Sequence, residues 1–166
     1  MRSEEVLEFL SEVRDPEIPS VDIVGLGIVR AVVFEGDAVV VHITPTYSAC
    51  PALLQIESQI KEVLSQRGFV HVKVEKVLSP PWSTDWISAE ARAAMKASGI
   101  APPSACGSKE KEDRLVSLPT VSQELECPWC GSNDTEIQSE FGSTACKSLC
   151  NCLLYTSDAA DEKRWG

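Results

Sequence analysis

No apolar run in this 166-residue chain approaches the roughly 18 residues that cross a bilayer, and the start, Met1-Arg2-Ser3-Glu4-Glu5, lacks the apolar stretch of a secretory signal. These absences predict a cytoplasmic protein with no membrane partner. Basic residues are the minority: 15 Lys and Arg against 25 Asp and Glu give a net charge of -10 and a pI near 4.7. Such a chain is repelled by a phosphate backbone, so nucleic acid is excluded as a partner by charge. A glycine-rich phosphate loop, a His-Glu-x-x-His helix and a G-x-S-x-G elbow are all missing, which leaves the familiar catalytic routes without support. There is no repeat at solenoid period and no low-complexity tract. What remains is ordinary globular material, 43% hydrophobic and 24% charged, enough for one domain of about 100 residues and a small stapled module.

Cysteine is the residue in excess. Seven in a cytoplasmic chain point to metal rather than disulfides, because that compartment keeps thiols reduced. Cys50 and Cys106 stand alone, whereas Cys127, Cys130, Cys146, Cys150 and Cys152 crowd the C-terminal part. The distribution predicts two modules.

In the first, Val6, Leu7, Leu10 and Val13 make one apolar face of a short helix, and Asp15-Pro16-Glu17-Ile18-Pro19 stops it as a rigid acidic loop. Two β-branched runs, 27–34 and 38–44, joined by Glu35-Gly36-Asp37, read as a hairpin. A helix with Pro51 at its first position carries Leu53, Ile56, Ile60, Val63 and Leu64 to a stop at Gly68. Val70, Val72 and Val74 then alternate as a half-buried strand. A third helix, capped by Ser83, Thr84 or Asp85, runs to about Gly99. The order α-β-β-α-β-α predicts an α+β domain with a mainly antiparallel sheet, followed by a zinc-ribbon-like module. The expected divisions are a domain at 1–98, a linker at 99–124, the ribbon at 125–152 and a tail at 153–166.

The strongest chemical signal is Cys127-Pro128-Trp129-Cys130-Gly131. Two thiolates separated by two residues bind one metal from a tight turn, and Gly131 lets the backbone fold under the ion. Cys146 and Cys152 follow at ribbon spacing, yet no second C-x-x-C exists, so the ligand set is Cys127, Cys130 and Cys152 with either Cys146 or Cys150 as the fourth. An all-cysteine set points to structural zinc; two reduced thiols or a thioredoxin-like redox pair are the plainer readings. Cys50 precedes Pro51 at a helix entrance, where the dipole favours thiolate, though a small buried apolar residue is the bland alternative. Asp15 and Glu17 supply hard ligands, a docking edge or merely a solvated turn. His42 and His71 read as packing or surface residues, and Trp82 and Trp86 as core anchors.

Taken together, Asp15-Pro16-Glu17-Ile18-Pro19, Leu26-Gly27-Ile28-Val29, 44–52 (Thr-Pro-Thr-Tyr-Ser-Ala-Cys-Pro-Ala) and Pro80-Pro81-Trp82-Ser83-Thr84-Asp85-Trp86 resemble the iron-sulfur cluster assembly factor superfamily. The segments 127–132 and 139–147 resemble its zinc-ribbon-bearing branch, the PaaD family. The resemblance implies an accessory factor, not an enzyme, for the ring-1,2-phenylacetyl-CoA epoxidase of aerobic phenylacetate breakdown. It would assist iron or iron-sulfur centre assembly in the oxygenase and reductase subunits, with a transient cluster or iron as cargo. Cys50 then matches the superfamily's functional cysteine, and Asp15 and Glu17 its acidic motif. The family pattern has a cysteine three residues after Cys152, where Tyr155 stands, and an aromatic-rich end. The polar run to Gly166 departs from it, and the tail from about Leu153 is read as non-native. Readings of another class are a thiol-dependent oxidoreductase using Cys127 and Cys130, or a rubredoxin-like electron carrier.

Overall fold

The computed structural model describes residues 3–46, 50–103, 125–142, 144 and 146–154. Cys106, most of the expected linker (104–124) and most of the tail, Tyr155 included, lie outside the described residues.

Val6 and Leu10 are fully buried on one face of α1 (Ser3–Leu10), while Glu4 and Glu5 remain exposed in its first turn. That apolar stripe packs on α2 (Leu53–Gln66) and on β1 (Val29–Glu35). α2 answers with Leu53, Ile56, Ile60 and Leu64, all buried, and fully burying each such side chain contributes about 1.5–3 kcal/mol. β2 (Ala38–Ile43) is the middle strand, paired antiparallel with β1 and parallel with β3 (His71–Lys76). The α+β class with antiparallel sheets is as expected. The parallel β2–β3 ladder arises because α2 carries the chain back across the sheet between them, and only such a crossover lets consecutive strands run parallel. Val39, Val41 and Ile43 alternate on one face of β2 and complete the core beneath the helices.

Two local details differ from the sequence expectation. α2 begins at Leu53 with Ala52 as its cap, so Pro51 lies in the turn before the helix and not at its first position. The third helix is split into a 3-10 turn, Thr84–Trp86, and α3 (Ala89–Ala97). Ile87 between them is extended and buried, and the Ser88 N–H donates to the Gly25 carbonyl at 2.8 Å. Ser88 Oγ then accepts from the Ala91 N–H at 3.1 Å and caps a new helix. Burying Ile87 outweighs one continuous helix.

The tryptophans fix the loop between α1 and β1. Trp82 Nε1 donates to the Leu26 carbonyl at 3.0 Å, and the Arg30 guanidinium lies 3.4 Å above the Trp86 ring. Gly27 has φ +69, and a Cβ there would stand 2.6 Å from Trp86 Cβ and 2.8 Å from its carbonyl oxygen. Gly27→Ala is therefore expected to cost about 2–5 kcal/mol, the left-handed backbone and the clash together, measured by urea unfolding against wild type.

β4 (Thr135–Ser139) and β5 (Leu149–Cys152) form a separate antiparallel ribbon. Its core is almost nil: among the described residues from 125 onward, Cys127 alone is buried.

Candidate metal centre

The C-x-x-C motif folds as a tight knuckle ahead of β4. Gly131 takes φ +73, a conformation open to glycine at little cost, and its N–H donates to the Cys127 carbonyl at 2.9 Å. The Cys127 N–H reaches the Ser132 carbonyl at 2.8 Å and closes the loop. The N–H groups of Cys130 and Trp129 point at the Cys127 sulfur and hold its pKa below the ordinary thiol value. At Cys130 the Ser132 N–H pulls downward, but the Cys152 thiol, desolvation and the Cys127 charge together raise it. β5 delivers Cys152 against this knuckle, opposite Thr135 in register, whose Oγ1 donates to the Leu125 carbonyl at 2.7 Å.

The sulfurs of Cys127, Cys130 and Cys152 all lie within 4.8 Å of one another, and those of Cys130 and Cys152 are 3.5 Å apart. Zinc–sulfur bonds of about 2.3 Å in a tetrahedron hold sulfurs roughly 3.8 Å apart, so the three thiols fit three corners of such a site. A metal bound there would staple the knuckle to β5. Neither Cys146 nor Cys150 is in that group among the described residues. Cys150 shares a strand face with Cys152 but sits two residues, about 7 Å, further along β5. Cys146 lies on the preceding turn, with its sulfur 3.3 Å from Thr144 Oγ1.

Cys146 is exposed and, like Cys127, Cys150 and Cys152, lines a cavity of about 980 Å³ between the ribbon and the α+β unit, whose other wall holds Cys50, Asp15 and Glu17. Asp15 is buried, and its Oδ1 accepts the N–H groups of Glu17 and Ile18, each at 2.8 Å, which shapes the acidic loop. Cys50 is half-buried before α2. The helix entrance does act on it, through the Ala52 and Leu53 N–H groups, but burial is the largest influence and Asp15 and Cys146 add to it. The net shift is upward, against the thiolate the helix end alone predicts. A metal binding Cys50 at neutral pH must displace a proton.

Sequence reasoning missed what joins the two units. Lys147 Nζ donates to the Glu17 carbonyl at 2.9 Å, across 130 residues of sequence, and lies 4.0 Å from the Glu17 carboxylate. Trp129 lies against Gly99, where a Cβ would stand 2.6 Å from its ring. Lys96 pairs with Glu126 at 2.7 Å. A lysine beside a cysteine carries no periodic signal, and only the Glu17 end, inside the acidic loop, could have drawn notice. His42 pairs with Glu75 across the β2–β3 ladder at 3.6 Å, away from the thiols.

Comparison with known proteins agrees with this division of chemistry. The family model described as iron-sulfur cluster assembly protein matches residues 3–78, and the one described as PaaD zinc beta ribbon domain matches 111–153. An Escherichia coli (strain K12) protein provisionally named as a subunit of 1,2-phenylacetyl-CoA epoxidase is 41% identical over 148 residues, 89% of this chain and 84% of that protein. The chain belongs to the PaaD family. Half of the PaaD-type chain has a wider kinship. The Fe-S protein maturation auxiliary factor SufT of Staphylococcus aureus (strain USA300) is 39% identical over 83 residues, 49% of this chain and 93% of that protein. The crystal structure of a domain of unknown function, DUF59, from Bacillus anthracis superposes with a TM-score of 0.53 at 35% identity, over 56% of this chain and 90% of that one. No helix among the described residues of this PaaD-family chain is long and apolar enough to cross a membrane.

Proposed function

We propose that the chain is a cytoplasmic, non-catalytic maturation factor that assists assembly of an iron or iron-sulfur centre in a phenylacetyl-CoA epoxidase complex. Residues 1–98 act as the assembly-factor domain, 99–124 as linker, and 125–152 as a zinc-stapled ribbon. The observation that carries this reading is the placement of Cys50 beside Asp15 in a cleft walled on its other side by the ribbon, in a chain similar along most of its length to a protein named as an epoxidase subunit. A half-buried thiol next to a carboxylate suits brief custody of a soft cation, since the site has affinity for iron yet is too sparse to retain it. Cys50 is the functional thiol, and Asp15 and Glu17 shape the acidic wall. The clients are the oxygenase and reductase subunits, and the -10 net charge speaks against nucleic acid.

The test is anaerobic production of those subunits with and without the chain, followed by iron and sulfide analysis of each. Clients short of iron or sulfide in its absence support the reading; fully loaded clients sink it. A thiol oxidoreductase working through Cys127 and Cys130 is the second reading, favoured by the lowered Cys127 pKa. The third thiol, Cys152, within 4.8 Å of both weighs towards metal instead, and a reversible Cys127–Cys130 disulfide in metal-free reduced protein would reverse that weighing.

A further inference from the structure

The cleft holds a second pair of thiols that the ribbon centre does not use. Cys50 and Cys146 come from different units and line the same cavity with the buried Asp15; Cys127, Cys150 and Cys152 line it too, but Cys127 and Cys152 belong to the ribbon group, and the turn of Cys146 is the one tied to the acidic loop. Each approach is fixed separately. Cys50 is held by the Ala52 and Leu53 N–H groups at its sulfur. Cys146 is held through its neighbour: the Lys147 N–H donates to the Thr144 carbonyl at 3.3 Å, the Lys147 carbonyl accepts from the Gly142 N–H at 2.6 Å, and Nζ is tethered to the acidic loop at Glu17. Beyond burial, charge on Asp15 and then on Cys146 opposes charge on Cys50. Two thiolates beside a carboxylate repel one another unless a cation lies between them.

We propose that Cys50 and Cys146 together form a thiolate site between the two units, sharing no ligand with the ribbon centre, that takes a thiophilic divalent cation, in the working protein iron on its way to a client. The cargo's identity rests on the maturation reading; the thiol pair does not. Asp15, Cys50 and Cys146 are not drawn together as a group within 4.8 Å, so the site is an open one. Two thiolates, not four, leave coordination positions for an incoming client ligand, which a structural four-thiolate site does not.

Cobalt reports the site directly, because thiolate ligation gives it an intense near-ultraviolet charge-transfer band. The full chain is loaded with one equivalent of zinc, which the ribbon triad retains against cobalt by its higher affinity, and is then titrated anaerobically with cobalt. Wild type is expected to bind one further equivalent with the thiolate band. Cys50→Ala and Cys146→Ala are each expected to lose that equivalent while keeping the zinc. Lys147→Met, which spares both thiols and removes the tether, is expected to weaken the cobalt affinity. No band in wild type, an undiminished band in Cys146→Ala, or loss of the ribbon zinc in Cys146→Ala would each overturn the proposal. Client loading measured with the same Cys50→Ala variant judges the maturation reading separately, since the band can vanish while clients still load normally.

Discussion

Cys127→Ser is expected to unfold the ribbon and leave the α+β unit standing. The ribbon's two strands have five and four residues, and Ile137, Phe141 and Leu149 are all exposed. A two-stranded hairpin without a core is marginal in water, so a metal held by Cys127, Cys130 and Cys152 would supply its order, and small metal sites of this kind couple binding to folding. Of the three thiols, Cys127 is the buried one and the acceptor of the knuckle's N–H groups, so its loss should tell most. The core of the other unit, from Val6 to Met95, includes no residue of the ribbon. Hydrogen exchange should show complete loss of protection at 135–139 and 149–152, with protection in α2 and β2 retained. Metal content should fall from one equivalent to near zero. Uniform loss of protection throughout the chain would contradict this separation.

Cys50→Ala is expected to do the reverse, abolishing client loading with little change in stability. Cys50 sits at the edge of the core, half-buried, and its nearest structural service is to receive the Ala52 and Leu53 N–H groups before α2. Losing those weak contacts and a small side chain costs about 1 kcal/mol or less. On the proposed role, its loss from the cleft also removes the sulfur that would meet the cargo. Urea unfolding and client iron content on the same preparation separate the two effects; normal client iron with Cys50→Ala would refute the role.

Where the sequence was legible, one local signal controlled the outcome. Val6 and Leu10 announce α1, the run from Leu53 to Leu64 announces α2, and Glu35-Gly36-Asp37 marks the β1–β2 turn, because periodicity and turn chemistry act over a few residues. The knuckle was legible for the same reason, as was Gly131. Where long-range packing decides, the residues were silent. The break at Ile87 depends on a carbonyl at Gly25 and on burial, and the parallel placement of β3 on the direction in which α2 returns. Spacing leaves Cys146 and Cys150 as equal candidates for a fourth ligand, and it is silent on the contact of Lys147 with Glu17 that brings the turn of Cys146 to the acidic loop. Spacing limits which cysteines can share a metal, and the long-range packing of the turn before β5 is not written in it.

The central claim, that this chain acts on a client's metal centre through Cys50, is tested most directly by reconstitution. Apo-reductase is supplied with ferrous iron and sulfide under anaerobic conditions, alone, with the wild-type chain and with Cys50→Ala, and cluster formation is followed by visible absorbance. The account predicts faster cluster formation with wild type than with iron and sulfide alone, and no acceleration by Cys50→Ala. Three equal rates would contradict it.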